Sequence, residues 1–256
     1  MTTASAPQPA KPRWLLRRPD PTARARLFCF PYSGCGASMY HRWPRRIGEI
    51  DICFVQPPAR ESRIREPHFQ TYPAFARSMI ESLPVGLLDL PFGFFGHCGG
   101  ALYGVEMARQ LAAEGLPTPR RIFVSSQVAP QDGPAGRFLT LDSDGLAEEL
   151  RRLTISLGGT PAPELIKLGL GLLTADLEAN RQYRFDHAPT LPCGVTAIGW
   201  GDDHEIPVTT MAGWKDVADD YRLVLVDGGH HTFLEAPADL LVEFERDLTS
   251  AISTTP

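Results

Sequence analysis

Six short apolar runs recur along the chain and predict the strands of a sheet. Each run is almost continuously apolar and ends at glycine, proline or a polar turn, which is typical of strands buried on both faces of a parallel sheet. The runs cover residues 24–31, 52–58, 91–96, 121–127, 194–200 and 222–229.

Segments with the apolar period of a helix lie between these runs, at residues 72–83, 101–115, 210–220 and 238–252. This alternation predicts an α/β fold, with a mostly parallel central sheet flanked by helices.

Two further predicted helices, 141–153 and 164–184, interrupt the alternation between the fourth and fifth runs. We interpret residues 135–190 as a helical lid insertion over the carboxyl ends of the strands, where open α/β sheets bind ligands. Ordinary crossover helices are the alternative interpretation.

We expect one α/β domain over residues 24–252, preceded by a disordered segment rich in proline and alanine over residues 1–23. The N-terminus lacks the apolar core of a secretory signal. The net charge of −5 gives no reason to expect nucleic acid or a membrane as partner. Five cysteines without a C-x-x-C pair predict a cytoplasmic protein with no disulfide and no metal site.

The third apolar run ends in Gly96-His97-Cys98-Gly99-Gly100, and a helical segment follows at once. A strand that turns sharply into a helix is the layout of a nucleophile elbow, G-x-S-x-G, here with cysteine at the nucleophile position. The thiol of Cys98 would lie at a helix N-terminus, where the helix dipole favours thiolate.

In such an elbow protein the acid follows a late strand and the histidine lies near the C-terminus. Asp202 and Asp203 follow the fifth run, and His230 and His231 follow the sixth. We expect His230 to accept the thiol proton and later to activate water, and Asp203 to orient its imidazole. His230 is preferred because it directly follows two glycines, whereas the two aspartates are almost equal candidates on this pattern.

An oxyanion hole needs backbone N–H donors. Gly99, directly after the nucleophile, should supply one, and the small residues of FPYSGCGAS, after the first run, should supply the other. Ser33 is our candidate for this second donor, with Gly34 as the alternative. Cys35 in the same loop either lies near the nucleophile or is an ordinary loop residue.

These segments together resemble the type II (editing) thioesterases of polyketide and nonribosomal peptide assembly lines, in the α/β-hydrolase superfamily. The resemblance covers about residues 24–250. It is carried by LFCFPYSGCGAS (27–38), VQPPARESR (55–63), PFGFFGHCGGALYGVEMARQL (91–111), FVSSQVAPQ (123–131), EELRRL (148–153), GGTP (158–161), GDD with a later tryptophan (201–214) and GGHHTFLE (228–235).

The family resemblance implies a triad of Cys98, Asp203 and His230, with Ser33 and Gly99 as oxyanion donors. In that family the acid lies about eleven residues before a helix tryptophan, and Trp214 stands at this distance from Asp203. The aspartate at 203 is therefore favoured over its neighbour at 202.

The chain departs from the family pattern in three places. Cys98 replaces the usual serine, Gly99 the usual methionine, and Ser33 and Cys35 the usual alanine and second glycine of the oxyanion loop. An acyl group on sulfur is still a thioester, so its transfer to another thiol is nearly thermoneutral. Deliberate replacement of serine by cysteine, to trap an acyl-enzyme, would give the same sequence.

Three functional hypotheses follow. The first is hydrolysis of acyl groups carried as phosphopantetheine thioesters on acyl or peptidyl carrier protein domains. The second is transfer of an acyl or aminoacyl unit to another carrier or to an amine. The third is a non-catalytic relative that only binds a carrier. The resemblance implies no cofactor, because the phosphopantetheine arm belongs to the substrate.

Two features of the sequence could serve such a substrate. Arg60, Arg63 and Arg65 could meet an acidic carrier protein, as the resemblance suggests, or could lie in a solvated loop. Ten leucines between residues 146 and 177 could line an apolar tunnel for the acyl chain or could pack the lid itself.

Overall fold

A central sheet of seven strands organises the part of the chain that the computed structural model describes, residues 14–84 and 86–249. The strands are β1 (Ala25–Cys29), β2 (Arg46–Ile47), β3 (Ile50–Phe54), β4 (Phe92–His97), β5 (Arg121–Ser125), β6 (Gly194–Trp200) and β7 (Tyr221–Val226). Their order is β2-β3-β1-β4-β5-β6-β7, and all neighbours are parallel except β2 and β3. The apolar pattern does not predict β2, because two residues are too few to show a period.

Helices cover both faces of the sheet, and the predicted α/β fold class is confirmed. They are α1 (Tyr72–Glu81), α2 (Gly99–Ala113), α3 (Ser143–Ser156), α4 (Pro163–Gln182) and α5 (Ala238–Thr249). One apolar core packs β1 and β4 against α1 and α2, and a second packs the opposite face against α5 and the two helices α3 and α4. Every residue of β3, β4 and β6 is buried, which explains why these strands are mostly apolar. None of the described helices is long and apolar enough to cross a membrane.

The segment predicted as a helix over 210–220 is instead a 3₁₀ helix, Val208–Asp216. Its sequence contains β-branched residues and Gly213, which are weak α-helix formers. The two buried side chains, Met211 and Trp214, are three residues apart and therefore lie on the same face of a three-residue turn.

The prediction of a disordered N-terminal segment does not hold for residues 14–23; residues 1–13 lie outside the described part of the chain. Trp14 and Leu15 are buried, and Leu15 forms an antiparallel bridge with Val55. The indole N–H of Trp14 donates to Ser82 Oγ at 2.6 Å. The many proline and arginine residues around Trp14 and Leu15 favour a prediction of disorder, although these two residues anchor the segment to the core.

Helices α3 and α4 lie between β5 and β6, within the region interpreted as a lid, and they pack against each other. Their leucines differ in exposure. Leu146, Leu150, Leu153, Leu173 and Leu177 are buried in the second core, whereas Leu165 and Leu168 are exposed.

Candidate active site

Cys98 lies at the sharp turn between β4 and α2, with φ 50° and ψ −132°. A non-glycine residue with such positive φ is strained by about 1–3 kcal/mol, and strain of this kind concentrates at functional sites. Glycine neighbours make the turn possible. A Cβ on Gly96 would lie 2.2 Å from Gly100 O, and a Cβ on Gly100 would lie 2.8 Å from Pro31 O. The local sequence therefore permits the elbow that the motif predicts.

The carboxylate of Asp203 and the imidazole of His230 are both buried and joined by a hydrogen bond, with Oδ2 2.9 Å from Nδ1. Asp203 also accepts the hydroxyl of Ser126 at 2.6 Å and the backbone N–H groups of Glu205 and Ile206 at 2.8 and 3.0 Å. Burial alone would raise the pKa of Asp203, but the hydrogen bond and charge of His230, with the Ser126 bond, lower this pKa to about 2.

The neighbouring candidates are placed differently. Asp202 is exposed, and the structure pairs Asp203 with His230. The ring of His231 lies 5.2 Å from that of His230, and burial together with the charge of His230 lowers the pKa of His231 to about 4. His231 is therefore neutral at physiological pH.

The imidazole of His230 also interacts with the sulfur of Cys98. Burial lowers the pKa of His230, but the hydrogen bond to Asp203 and the interaction with the Cys98 sulfur outweigh burial and raise this pKa to about 10. The hydroxyl of Tyr32 lies 3.3 Å from Nε2. The geometry therefore brings the three predicted triad residues together, at the ends of β4, β6 and β7, and favours an imidazolium beside the sulfur.

Ser33 and Gly99, the predicted oxyanion donors, are buried neighbours beside Cys98. A Cβ on Gly99 would lie 2.6 Å from Ser33 Oγ and 3.2 Å from Asn180 Nδ2. Gly99 in place of methionine and Ser33 in place of alanine therefore depend on each other. The absence of a side chain at position 99 leaves the space that the Ser33 hydroxyl occupies. The hydroxyl of Tyr72 donates to Gly99 O at 2.8 Å and holds the start of α2.

Gly34, the alternative donor, has its N–H engaged elsewhere: it donates to Asp176 Oδ2, on α4, at 2.7 Å. The guanidinium of Arg60 donates to both oxygens of this carboxylate, at 3.0 and 2.9 Å, and His68 Nε2 lies 2.7 Å from Oδ1. Burial raises the pKa of Asp176, but the charge of Arg60 and the hydrogen bond with His68 lower it below its usual value. The sequence pattern does not predict this buried network. Because the network engages the N–H of Gly34, the backbone N–H of Ser33 remains the candidate for the second oxyanion donor in this loop.

The hypothesis that Arg60 and Arg63 meet a carrier protein is wrong, because both side chains are buried. Arg60 is bonded to Asp176, and Arg63 donates to Glu66 while its guanidinium stacks 4.1 Å from the Trp14 ring. Of the three arginines, Arg65 is exposed.

Two cavities lie beside the loop that follows β1. A small chamber of about 10 Å³ contains Cys98, Tyr32, Ser33, Phe138, Leu177, Asn180, Arg137 and Glu205 in its wall. This volume suits roughly one water molecule.

The second cavity, about 340 Å³, is lined by six leucines between residues 150 and 172, by Met39 and Ile64, and by small and polar residues of the adjoining loops. Cys35 lies in the wall of this cavity and not in that of the Cys98 chamber, and burial raises the pKa of its thiol to about 12. Among the described residues, no group of three histidine, cysteine or acidic side chains is arranged to hold a metal ion.

Comparison with known proteins places the chain in a family. Residues 25–248 match the family model described as thioesterase domain. The protein named linear gramicidin dehydrogenase LgrE, from Brevibacillus parabrevis, is 34% identical over 250 residues, which cover 93% of each chain. Gramicidin S biosynthesis protein GrsT, from Aneurinibacillus migulanus, is 31% identical over 229 residues, covering 87% of this chain and 88% of the relative.

Solved structures agree with this assignment. BorB, the type II thioesterase from the borrelidin biosynthetic cluster, has a TM-score of 0.76 at 27% identity and covers 94% of this chain and 100% of its own. RedJ, a thioesterase from the prodiginine pathway of Streptomyces coelicolor, has a TM-score of 0.75 at 29% identity and covers 96% and 97%. The α/β-hydrolase fold that the sequence predicts is thus confirmed, and the chain belongs to the thioesterase family of thioester hydrolases.

Proposed function

We propose that this enzyme acts on acyl groups held as phosphopantetheine thioesters on carrier protein domains of a nonribosomal peptide or polyketide assembly line. The names of its relatives, which refer to gramicidin and to borrelidin biosynthesis, support this class of substrate. The observation that carries the proposed chemistry is the buried Asp203–His230 hydrogen bond beside a cysteine on a strained elbow.

The first half of the reaction acylates the enzyme. His230 takes the thiol proton of Cys98, and the thiolate attacks the thioester carbonyl. The backbone N–H groups of Gly99 and Ser33 stabilise the oxyanion of the tetrahedral intermediate. The intermediate collapses, the bond to the phosphopantetheine sulfur breaks, and the imidazolium returns the proton to that sulfur. Asp203 keeps the imidazole in the required tautomer.

The second half removes the acyl group from Cys98. In hydrolysis, His230 deprotonates a water, which attacks the carbonyl of the acyl-cysteine. The bond between this carbonyl and Sγ of Cys98 then breaks, the imidazolium returns the proton to the sulfur, and the free acid leaves. In transfer, the thiol of a second carrier takes the place of water and receives the acyl group. The cysteine favours acyl transfer. Exchange of an acyl group between two thioesters changes the free energy very little, whereas an ester on serine would be too low in free energy to pass the acyl group back to a thiol.

A non-catalytic carrier-binding protein would need neither the elbow strain nor the buried acid–histidine pair. Burying a carboxylate costs free energy unless it is paired, and Asp203 uses four hydrogen bonds to remain ionised. Such a construction favours catalysis over binding alone.

The test is to incubate the protein with an acyl-loaded carrier and an unloaded second carrier, and to follow the intact masses of all three proteins together with the free acid. We expect an acyl adduct on Cys98, followed by free acid at multiple turnovers or by acylated second carrier. Cys98→Ala should form no adduct, and Cys98→Ser should convert transfer into slow hydrolysis. Undiminished turnover by the alanine variant would refute the proposed mechanism.

A further inference from the structure

Glu205 lies in the wall of the chamber that contains Cys98, and the reaction proposed above does not use it. Its side chain is 17% exposed. Two cationic groups approach its carboxylate: His230 Nε2 lies 3.7 Å from one oxygen, and Arg137 Nη1 lies 3.8 Å from the other. Both separations exceed hydrogen-bond distance, so each leaves the carboxylate oxygen able to accept a further donor.

The two charged side chains of the chamber wall are not equally bonded. The guanidinium of Arg137 donates a hydrogen bond to Glu149 on α3, a carboxylate that Arg152 also contacts, and this bond is shorter than the approach of Arg137 to Glu205. The imidazole of His230 is bonded to Asp203. Glu205, by contrast, forms only the two longer ion pairs and no side-chain hydrogen bond within the part of the chain that the structure describes.

A mostly buried carboxylate selects against apolar groups placed beside it. An alkyl chain in this chamber would remove the remaining solvent from Glu205 without replacing it by a donor, at a cost in free energy. The hydroxyl of Ser33 and the amide of Asn180, both close to Gly99, make this part of the wall polar as well. A cationic group with N–H donors would satisfy the carboxylate through charge-assisted hydrogen bonds.

The position of Glu205 defines where that cation belongs in the substrate. The carboxylate lies 3.7 Å from Nε2 of His230, whose imidazole interacts with the sulfur of Cys98. A group on the carbon next to the thioester carbonyl therefore comes closest to it. The geometry points to an aminoacyl thioester as substrate, with Glu205 of this chain binding the α-ammonium group and selecting aminoacyl units over simple acyl units. This inference rests on the proposed acylation of Cys98.

A second role of Glu205 makes a different prediction. If the carboxylate only stabilised the imidazolium of His230, its removal would slow the reaction of every thioester to the same extent. If it binds an ammonium group, its removal slows aminoacyl substrates more than simple acyl substrates. The comparison of two substrates that differ only in the amino group therefore separates recognition from a general effect on the histidine.

The experiment uses the full chain with alanyl and propionyl thioesters of a phosphopantetheine-loaded carrier. Acylation of Cys98 is followed by intact mass in single turnovers, and kcat/KM is measured for both substrates. We expect the wild type to prefer the alanyl thioester by about tenfold or more, the strength of one charge-assisted hydrogen bond. Glu205→Gln should lower kcat/KM for the alanyl thioester by about tenfold more than for the propionyl thioester, so that most of the preference is lost.

The exposed Glu148→Gln, the same substitution on α3, is the matched control and should keep the wild-type preference. Equal losses for both substrates in Glu205→Gln, or a wild type without preference, would overturn the inference while the acylation itself stands. If neither thioester acylates Cys98 in the wild type, the proposed function fails together with the inference.

Discussion

Two buried aspartates of this protein each contact a histidine, yet their surroundings differ. Asp203 is 2.9 Å from His230, and its other donors are the neutral groups of Ser126 and the backbone. Asp176 is 2.7 Å from His68 but is also bonded twice to Arg60, a permanent cation. The arginine compensates Asp176 whether or not the histidine carries a proton. At Asp203 the histidine is the charge partner, so that pair is suited to proton transfer and the other to fastening α4.

The largest effect should come from Asp203→Asn. The amide holds the imidazole in the wrong tautomer and offers no charge to the imidazolium, so we expect kcat/KM to fall by about 10³-fold or more. The fold should remain, because the amide keeps nearly the same size and shape. Steady-state kinetics on an acyl carrier and a thermal unfolding curve measure the two quantities. A tenfold loss or less would remove Asp203 from the triad.

Asp176→Asn should have the opposite profile. It leaves the guanidinium of Arg60 buried without its counter-charge, so we expect the free energy of unfolding to fall by about 3–5 kcal/mol. Urea denaturation measures this loss. The double variant Arg60→Met with Asp176→Leu should be less destabilised than Asp176→Asn, because no buried charge then remains uncompensated. If the double variant loses more stability than the single one, the pair is not acting through charge.

The next largest effect should be the pH dependence of the free energy of unfolding that the Asp203–His230 pair causes. His230 has its folded pKa raised to about 10, above the usual 6.5, so its contribution is complete below pH 6.5 and is lost as the pH rises toward 10. Asp203 has its pKa lowered to about 2, so its contribution is present above 3.8 and is lost as the pH falls toward 2.

We expect the free energy of unfolding to decline by about 1–3 kcal/mol between pH 7 and 10, and by less than half of that in Asp203→Asn. Chemical denaturation at a series of pH values measures the decline. An identical decline in both proteins would show that the raised pKa of His230 does not depend on Asp203.

The smallest effect should follow His68→Gln. The amide nitrogen can still donate to Asp176, and Arg60 continues to compensate the carboxylate, so we expect less than about 1 kcal/mol of lost stability and less than a fourfold change in kcat/KM. His230→Gln, the matched change at the other aspartate, should abolish turnover. Equal losses of activity in the two variants would contradict the division of roles between the pairs.

The sequence predicts the Asp203–His230 pair better than the buried network around Asp176, for a physical reason. The elbow, the late acid and the late histidine each follow an apolar strand, so the parallel sheet brings them to one edge. The contacts of Asp176 with Gly34, Arg60 and His68 cross 142, 116 and 108 residues and follow no shared element boundary. One signal was available: Asp176 stands between Leu173 and Leu177, on the apolar face of a helix.

Other differences between prediction and structure arise from short elements. The anchor formed by Trp14 and Leu15 and the edge strand β2 each involve only two residues, fewer than a hydrophobic period needs. The 3₁₀ helix Val208–Asp216 has apolar residues at a spacing that an α-helix shares. Long buried elements are therefore predictable from the pattern of this chain, and two-residue contacts are not.

The hydrogen bond from Gly34 to Asp176 connects helix α4 with the loop that carries the candidate oxyanion donor Ser33. Because α4 supplies the carboxylate and the loop after β1 supplies the N–H, a shift of the helix by itself would leave the buried guanidinium of Arg60 and the part-buried N–H of Gly34 without their acceptor. We therefore expect α4 and this loop to move together, along with Ser33, the residue before Gly34. Opening of the site would then displace the N–H of Ser33 from the nucleophile, and water that entered at that stage would meet an incomplete oxyanion hole.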